Sequence, residues 1–258
     1  MVLGERDILK VATTLPGIKS TGEGAAGVNV RGGKEDQNLF LLDNATIYNP
    51  SHFFGFFSSI NPYVIKNAEI YKGSIPAEFG GRLSSVFDIK SKNGNTEKIS
   101  GEGGIGPVTS NLTVSVPVAK GKSSVLLGGR ATYSDWILKQ IDNPEIKNSK
   151  ASFYDLILKY NHQISEKTSL ESTIYYSKDL FNLTSDSTYT YSNRIITLNG
   201  KHFFNEKNKA EFGITNSEYK FGIDFDKNNQ KSFDFGFKVN ETKLIYKGLY
   251  NYSNRHKF

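Results

Sequence analysis

Two glycine-rich segments come closest to a motif with known chemistry, the binding of a nucleotide phosphate. GEGAAG, residues 22–27, has the spacing G-x-G-x-x-G, in which glycines let the backbone approach a pyrophosphate at the start of a helix. A dinucleotide-binding motif follows a strand and opens a helix, and here the order is inverted. The preceding segment, ERDILKVATTLPGI, has apolar residues at helical spacing, and the following segment, GVNV, favours a strand. The nearby GGKE has Glu35 where a phosphate loop needs Ser or Thr. The region is therefore predicted to be a flexible turn between a helix and a strand.

The residue types that catalyse reactions or bind metals do not occur in any spacing typical of a catalytic or metal-binding motif. The 258 residues include no cysteine and four scattered histidines, which excludes disulfides, thiolate metal sites and a cysteine nucleophile. No Ser/His/Asp or paired-carboxylate constellation is readable, and G-x-S-x-G is absent. The sequence predicts a protein that is not an enzyme, with no cofactor and no metal site.

The charge distribution and the hydropathy of the sequence bear on whether the protein binds nucleic acid or contains a transmembrane helix. The net charge is +6, but residues 1–95 hold ten Lys/Arg and nine Asp/Glu, so the excess is spread over later turns and strand faces. No basic stripe forms, and no nucleic-acid partner is expected. No run of about 18 apolar residues predicts a transmembrane helix. The start MVLGERDILK does not resemble a signal peptide, and taken literally this chain would stay in the cytoplasm.

Beyond residue 95 the sequence alternates between apolar and polar residues with period two. The clearest case is ASFYDLILKYNH, residues 151–162, and similar alternation recurs around 170–176, 196–204 and 233–240. Such alternation predicts antiparallel strands with one wet face, in a membrane barrel or in a soluble sandwich.

The spacing of the turns indicates how those strands connect. The first hairpin closes at GPVT, 106–109, and short polar turns follow at 119–122, 165–168, 205–208 and 253–256. Longer connections are predicted at 134–150, 178–190 and about 223–231. Short turns at one end and long loops at the other are typical of an outer-membrane barrel, and a soluble sandwich can share the pattern. About eight strands are predicted over 98–253, with a ninth begun at HKF.

Four ordered segments resemble one known family. GVNVRGG, DQNLFLLDNATIYNPSHFFGFF, INPYVIKNAEIYKGSIPAEFGGRLSSVFDIKSKNG and GEGGIGPVTSNLTVSVPV resemble the plug domain and first barrel strands of TonB-dependent outer-membrane receptors. YNPSHFFGFFS resembles the Bacteroidetes-type branch. The resemblance is close over residues 5–135. It implies an α+β plug domain over 1–95, its N-terminal part missing, followed over 96–258 by an incomplete antiparallel transmembrane β-barrel, about eight strands of a larger barrel.

The resemblance also implies a function, energy-dependent import of a scarce or bulky nutrient by plug displacement. Its implied partners are the TonB-ExbB-ExbD energy-transducing complex, through a segment missing here, an outer-membrane lipoprotein, and the lipid and lipopolysaccharide of the membrane. Its implied location is the Gram-negative outer membrane. The substrate stays open among an iron chelate, a cobalamin-like cofactor, a glycan and a peptide.

The sequence departs from the family pattern in lacking a signal peptide, a recognisable TonB box and most of the barrel strands. An eight-stranded barrel is too narrow to hold a plug, and an open sheet exposes its edges to lipid. We therefore expect a piece of a longer receptor. The alternative is a small outer-membrane β-sheet or barrel that binds or adheres through an external N-terminal module.

Several residues become site candidates through the resemblance. Plug strands are expected at 28–31, 39–42 and 86–89, with a turn at Asp43-Asn44. Arg31 and Lys72 are candidates for a plug–barrel latch, or else ordinary surface cations. A further group is expected near the apex of the plug, where it would either face the substrate or pack the plug against the barrel wall. This candidate apex comprises Asp43, Tyr48, Asn49, Pro50, His52, Phe53, Phe54, Phe56 and Phe57. The plug glycines expected to permit positive φ or close packing are Gly32, Gly33, Gly73, Gly80 and Gly81.

The alternation also predicts which side chains face which way. The plug is expected to bury Val28, Val30, Leu39, Leu41, Ile70 and Val86. The sheet is expected to turn a polar concave face carrying Asp155, Lys159, Glu171 and Lys201 toward the plug. The face carrying Tyr154, Leu158 and Ile174 is too apolar for a wet lumen and suits lipid.

Overall fold

The computed structural model describes residues 7–21, 27–133, 139–140, 149–182, 187–227, 230–253 and 256–257. An N-terminal layer, residues 7–92, lies against one large antiparallel sheet. The layer contains the helix α1 (Ile8–Ala12), 3-10 turns at Glu35–Gln37, Phe53–Gly55 and Pro62–Val64, and the strands β1 (Ile18–Ser20), β2 (Val28–Val30), β3 (Asn38–Leu42), β4 (Ala45–Thr46), β5 (Ser51–His52), β6 (Phe57–Ser58), β7 (Ile65–Tyr71) and β8 (Ser85–Ser91).

The short helix α1 lies within the segment whose apolar spacing predicted a helix. Asp7 caps its N-terminus and accepts hydrogen bonds from the backbone N–H groups of Leu9, at 2.8 Å, and Lys10, at 3.0 Å. The second oxygen of Asp7 accepts from the N–H of Ser58 at 2.5 Å. One carboxylate therefore both starts the helix and ties it to β6. The flexible turn predicted at 22–27 lies almost entirely outside the described residues.

The central sheet of the layer has the order β4-β3-β8-β7, with β3 parallel to β8 and the other pairs antiparallel. Asp43 and Asn44 form the predicted turn between β3 and β4, with φ of 48° and 75°, as a tight hairpin requires. The strand predicted at 28–31 does not join this sheet, because β2 pairs with β1 in a separate two-stranded sheet. Of the predicted core, Ile70 is only partly buried, and the other members are buried: Val28, Val30, Leu39, Leu41 and Val86.

The large sheet has eight consecutive antiparallel strands in the described residues, as predicted. They are β9 (Ser100–Ile105), β10 (Thr109–Ala119), β11 (Ser123–Thr132), β12 (Lys150–Ser165), β13 (Thr168–Asn182), β14 (Ser187–Phe203), β15 (Lys209–Lys227) and β16 (Gln230–Leu249). A separate pair follows, β17 (Asn251–Ser253) and β18 (His256–Lys257), where a ninth strand was predicted.

Two of the three predicted long connections are wrong. The structure carries β13 to Asn182 and resumes the sheet at Ser187, so most of 178–190 is strand. Likewise β15 reaches Lys227 and β16 starts at Gln230. Thr and Tyr alternate over 188–191, and these residues continue the ladder opposite β15, which is why the hairpin extends. The third connection, 134–150, lies mostly outside the described residues.

The two faces of the large sheet differ as predicted for β12 to β14. Asp155 and Lys159 face the N-terminal layer and are each 1% exposed. The opposite, outward face exposes Leu156 by 53% and also exposes Tyr154, Leu158, Ile174, Ile196 and Leu198. Near the start of β16 the apolar side chains lie on the inner face instead of the outward face. Phe237 there contacts Tyr219, and the ring of Tyr219 contacts Tyr48 of the N-terminal layer.

The layer and the sheet share one hydrophobic core. Val64 from the layer packs in the same buried cluster as Ile157, Tyr175 and Ile195 from the sheet. Gly128 permits this approach, since a Cβ there would lie 2.5 Å from Val64 Cγ1. No helix among the described residues is long and apolar enough to span a bilayer.

Replacing Gly33 by alanine is expected to lower the free energy of unfolding by about 1–3 kcal/mol through overpacking. A Cβ there would overlap Ser84 Oγ, which donates a hydrogen bond to the Val30 carbonyl. Gly80→Ala is the matched control, because a Cβ at that position would meet no atom within 4 Å. Urea unfolding followed by circular dichroism compares them, and equal effects would contradict the packing described.

Candidate functional site

Buried charges concentrate where the N-terminal layer meets the inner face of the large sheet, which carries Asp155 and Lys159. They form two groups, each with members from both parts of the chain. The Asp43 cluster comprises Asp43, Ser91, Lys159 and Thr173, and the His52 cluster comprises His52, Arg130, Asp155 and Asp179.

The Asp43 cluster is positioned by the turn between β3 and β4. The left-handed backbone at Asp43 directs its carboxylate toward the sheet, where Lys159 Nζ lies 3.2 Å from Oδ2. Thr173 Oγ1 donates to the same oxygen at 2.7 Å, and the Ser91 hydroxyl also donates to it. The N–H of Ser91 donates to Oδ1 at 3.0 Å. Lys159 further pairs with Glu171 at 3.0 Å, so its charge is shared.

The electrostatic environment keeps Asp43 ionised. Burial alone disfavours the carboxylate, but Lys159 and the hydroxyl groups of Ser91 and Thr173 outweigh that cost and hold the pKa of Asp43 below its usual value. The cluster is therefore a buried ion pair with its hydrogen bonds satisfied.

The His52 cluster lies beside the short strand β5. His52 is fully buried, and its Nδ1 lies 2.7 Å from Asp179 Oδ2. Its Nε2 is 3.6 Å from Asp155 Oδ2, which is too long for a hydrogen bond. Arg130 Nε donates to that same Asp155 oxygen at 2.7 Å, and Arg130 also donates to the carbonyl of Ser58 at 2.6 Å.

Two carboxylates set the charge state of His52. Burial disfavours the imidazolium, but Asp179 and Asp155 outweigh this and raise the pKa of His52, although Arg130 opposes them. The imidazole also stacks on Phe153 with ring centroids 4.0 Å apart. His52 is therefore a titratable contact between the layer and the strands β12 and β13.

Neutral polar contacts extend the same interface. Asn193 Nδ2 donates to the Asn49 carbonyl at 3.1 Å, and the Asn49 N–H donates back to Asn193 Oδ1 at 3.3 Å. Asn44 Nδ2 donates to Asn199 Oδ1 at 2.9 Å. These contacts and both clusters join one part of the chain to the other, so their arrangement is suited to holding two surfaces together.

A cavity of about 300 Å³ opens beside these contacts. Its wall combines the candidate apex with parts of β13 to β15. The lining includes Tyr48, Asn49, Pro50, Ser51, Phe53, Arg82, Asp179, Phe181, Tyr191 and Tyr219. Further rings continue along the sheet, since Phe221 lies 5.1 Å from Tyr191 and 5.4 Å from Phe237. We call Tyr191, Tyr219, Phe221 and Phe237 the aromatic wall.

The two predicted latch cations do not reach the sheet. Lys72 Nζ donates to the Pro16 carbonyl at 2.9 Å, and the side chain of Arg31 lies against Gly17 and Gly73, so both cations contact their own layer. Within the described residues neither of them forms an ion pair. The pair of Asp43 with Lys159 crosses the interface with the opposite polarity, because its carboxylate lies on the layer and its cation lies on the sheet.

The candidate apex residues divide between packing and the cavity. Phe57 is buried against Phe153, and Phe53 contacts the same ring edge-on at 5.0 Å. Phe56 is 48% exposed, and the side chain of Phe54 lies outside the described part. The remaining ring of the apex, Tyr48, lines the cavity with Asn49 and Pro50.

The candidate glycines also differ from one another. Gly32 and Gly81 have positive φ, of 82° and 83°. Gly33 faces Ser84 closely, and a Cβ at Gly73 would lie 2.5 Å from a guanidinium nitrogen of Arg31. Gly80 has open space where a Cβ would stand.

Sequence reasoning identified four of the six charged residues in the two clusters. Asp43 and His52 were apex candidates, and the alternation placed Asp155 and Lys159 on the inner face, but no partner was given for any of them. Arg130 and Asp179 were missed, although each occupies an inward position of its strand, and that position was the available signal.

Comparisons with known proteins match both parts of the chain. The sequence model of the family "TonB-dependent Receptor Plug Domain" matches residues 2–85. The siderophore receptor PirA from Acinetobacter baumannii superposes with a TM-score of 0.67 and 17% identity, over 95% of this chain and 43% of that one. The FrpB iron transporter from Neisseria meningitidis superposes with a TM-score of 0.68 and 12% identity, over 96% of this chain and 44% of that one. The outer membrane transporter YddB from Escherichia coli superposes with a TM-score of 0.68 and 12% identity, over 95% of this chain and 43% of that one.

These solved structures share the fold of the chain, which spans less than half of their length. A comparison with curated protein sequences finds no match.

Breaking the buried ion pair from either side is expected to be costly. Lys159→Met should lower the free energy of unfolding by about 3–5 kcal/mol, because it leaves the Asp43 carboxylate buried without its counterion. Asp43→Asn should cost less, because Lys159 keeps its ion pair with Glu171. The double variant should lose less free energy of unfolding than the two single variants lose together. Urea titration of the native chain, the two single variants and the double variant gives the coupling energy between Asp43 and Lys159. A coupling energy of zero would contradict the ion pair.

Attachment through His52 is expected to weaken as pH rises. Its folded pKa is raised above the ordinary value of about 6.5, so its stabilising contribution is complete below that value and is lost as pH rises through the folded pKa. The free energy of unfolding, measured between about pH 5.5 and 9, should fall more steeply in the native chain than in His52→Gln. His202→Gln, in β14 outside both clusters, should keep the native slope. Equal slopes for the native chain and His52→Gln would contradict this assignment.

Proposed function

The chain carries the plug domain and part of the β-barrel of a TonB-dependent receptor, and from this we propose that the receptor containing it imports a solute across the outer membrane by displacing the plug. The observation that carries the proposal is a plug that meets the inner barrel face through two buried clusters of charged and polar side chains, beside a shared apolar core. No covalent chemistry is needed for such a function.

Polar attachment suits a plug that must move and return. A buried ion pair contributes little net stability compared with an apolar seam of the same size, because desolvation offsets most of the attraction. When Asp43 and Lys159 separate into a wet lumen, both charges regain hydration. Separating an apolar seam would instead expose hydrophobic surface to water. We infer that the two clusters act as a reversible latch.

Energy for displacement is proposed to come from the TonB-ExbB-ExbD complex, which would pull on a segment N-terminal to the described residues. TonB-dependent receptors work in the outer membrane, and we propose that location here. An outer-membrane lipoprotein partner and membership of the Bacteroidetes-type branch remain further proposals, supported by the resemblance of YNPSHFFGFFS.

The cavity beside Tyr48 and the aromatic wall are the proposed first contact for the solute. Ring faces there favour a ligand with apolar or aromatic surface, and Arg82 and Asp179 supply charge of both signs. PirA is named as a siderophore receptor and FrpB as an iron transporter. A metal chelate with an organic shell is therefore one candidate beside a cobalamin-like cofactor, a glycan and a peptide.

The adhesion alternative has less support. It expects an N-terminal module outside the barrel, whereas residues of the N-terminal layer share a hydrophobic core with the inner face of the sheet.

Locking the plug to the barrel should abolish uptake. Asn44 and Asn199 are in side-chain contact across the interface, and these 258 residues contain no cysteine, so Asn44→Cys/Asn199→Cys introduces two thiols that a short bifunctional thiosulfonate reagent can bridge. In the full-length receptor, this crosslink should stop energy-dependent uptake and leave solute binding intact. Reduction should restore uptake.

The two single-cysteine variants are the controls, and the bifunctional reagent should leave their uptake unchanged. Undiminished uptake by the crosslinked double variant, with the crosslink verified by mass spectrometry, would contradict plug displacement.

A further inference from the structure

Two buried polar atoms in the wall of the cavity beside Tyr48 lack hydrogen-bond partners. Asp179 lines the cavity and is 5% exposed, and its Oδ2 lies 2.7 Å from His52 Nδ1. The other carboxylate oxygen, Oδ1, is buried and accepts no hydrogen bond within the described part of the chain. The same is true of the hydroxyl group of Ser51, a second buried lining residue. A buried carboxylate oxygen without a donor is costly, so the cavity is suited to a ligand that donates to it.

Aromatic rings surround this free oxygen. Tyr191 is the direct cross-strand partner of Asp179, so the two side chains are neighbours on the inner face of the sheet. Tyr219 also lines the cavity, and its ring centroid lies 6.3 Å from that of Tyr48. The electron-rich faces of tyrosine rings attract a cation that comes within about 6 Å of their centroids. The carboxylate and the rings therefore favour the same kind of ligand group, a cation.

The charges along the cavity wall also favour a cation. Among the described lining residues, Glu35, Asp36 and Asp179 carry negative charge, and Arg82 carries positive charge. Arg82 is exposed, and it donates to the carbonyl of its neighbour Gly81 at 2.9 Å. A cleft with an excess of one sign of charge concentrates ligands of the opposite sign. An anionic ligand would therefore be disfavoured here.

The cations of the His52 cluster do not occupy the free oxygen. His52 contacts the opposite oxygen of Asp179, and Arg130 donates to Asp155 on the neighbouring strand. An ionised carboxylate accepts hydrogen bonds at both oxygens, with about four acceptor positions in all. Asp179 can therefore hold His52 and accept from a ligand at the same time.

We propose that this cavity is an amine subsite, in which the protonated amino group of the imported solute donates a hydrogen bond to Asp179 Oδ1. Ser51 Oγ is the second acceptor, and the apolar body of the solute packs against Tyr48, Tyr191 and Tyr219. The proposal rests on the proposed import function and narrows the solute to an organic cation, a protonated amine on an apolar or aromatic body. The volume of about 300 Å³ is at the lower end of the range for small-molecule sites, which fits a solute of this size.

The test compares three ligands that share one ring and differ in charge: 2-phenylethylammonium, 2-phenylethanol and 3-phenylpropanoate. Ligand-observed NMR titration measures their affinities for the full-length receptor in detergent. The ammonium compound should bind about 10- to 100-fold more tightly than the alcohol, because a hydrogen bond to a charged group contributes on that scale. The carboxylate compound should bind more weakly than the alcohol. The comparison uses the native receptor, so it does not depend on the folding of any variant.

Substitutions then assign the preference to named atoms. Asp179→Asn should remove the difference between the ammonium compound and the alcohol, because the side chain keeps its shape and loses its charge. Ser51→Ala should weaken binding of the ammonium compound about two- to ten-fold, as expected for a neutral acceptor. Asp224→Asn is the matched control, because Asp224 is exposed on the outward face of β15 and should not affect the cavity.

Three results would each overturn the proposal. They are equal affinities for the ammonium compound and the alcohol in the native receptor, a preference that survives in Asp179→Asn, and an equal loss of preference in Asp224→Asn.

Binding is measured without any energy source, so the result separates from the question of transport. A receptor that takes up solute but shows no preference for the ammonium compound would overturn the amine subsite alone. A receptor that binds the ammonium compound through Asp179 but never transports would overturn the proposed function and leave the binding site standing.

Discussion

A charged side chain that is buried away from water is stable only when it is paired with an opposite charge or hydrogen-bonded. This requirement governs how the plug meets the barrel. Period-two alternation turns an apolar face toward lipid, so the opposite face of each strand carries polar and charged residues. Once the plug covers that face, Asp155 and Lys159 are each 1% exposed. They are stable there only because Arg130, His52 and Asp43 approach them with the complementary charge.

The positions of these partners depend on short-range structure in the plug. Asp43 reaches Lys159 because a tight turn with two left-handed residues ends β3, and His52 reaches Asp179 because β5 and β6 form a short hairpin fixed by Asp7. The apolar core shared by Val64 and Ile157 sets the distance between the layers. A small error in either turn would leave a buried charge alone, so the clusters constrain the docking geometry more than they contribute net stability.

The sequence allowed the fold to be predicted more fully than the site. Alternation around Leu156 and Leu158 predicted strand direction and facing, because side-chain period is a local property. The ordered plug motifs predicted the turn at Asp43 for the same reason. Pairings such as Asp43 with Lys159 join residues more than 100 positions apart, and neither member reveals its partner locally. The latch candidates Arg31 and Lys72 came from family resemblance, which does not specify contacts in this chain. In β16 the rings lie on the inner face, where they line the lumen. Alternation alone does not distinguish such a ring-lined inner face from a face that contacts lipid.

The most direct test of the account is hydrogen exchange of the full-length receptor, comparing the native protein with Asp43→Asn/His52→Gln. If buried charge pairs hold the plug against the barrel, amides over residues 38–47 and 51–60 should exchange about as slowly as those of β12 and β13 in the native protein. In the double variant, the same amides should exchange much faster while β12 and β13 stay protected. Plug amides that exchange rapidly in the native receptor, or that stay equally protected in the variant, would contradict the central role of these pairs.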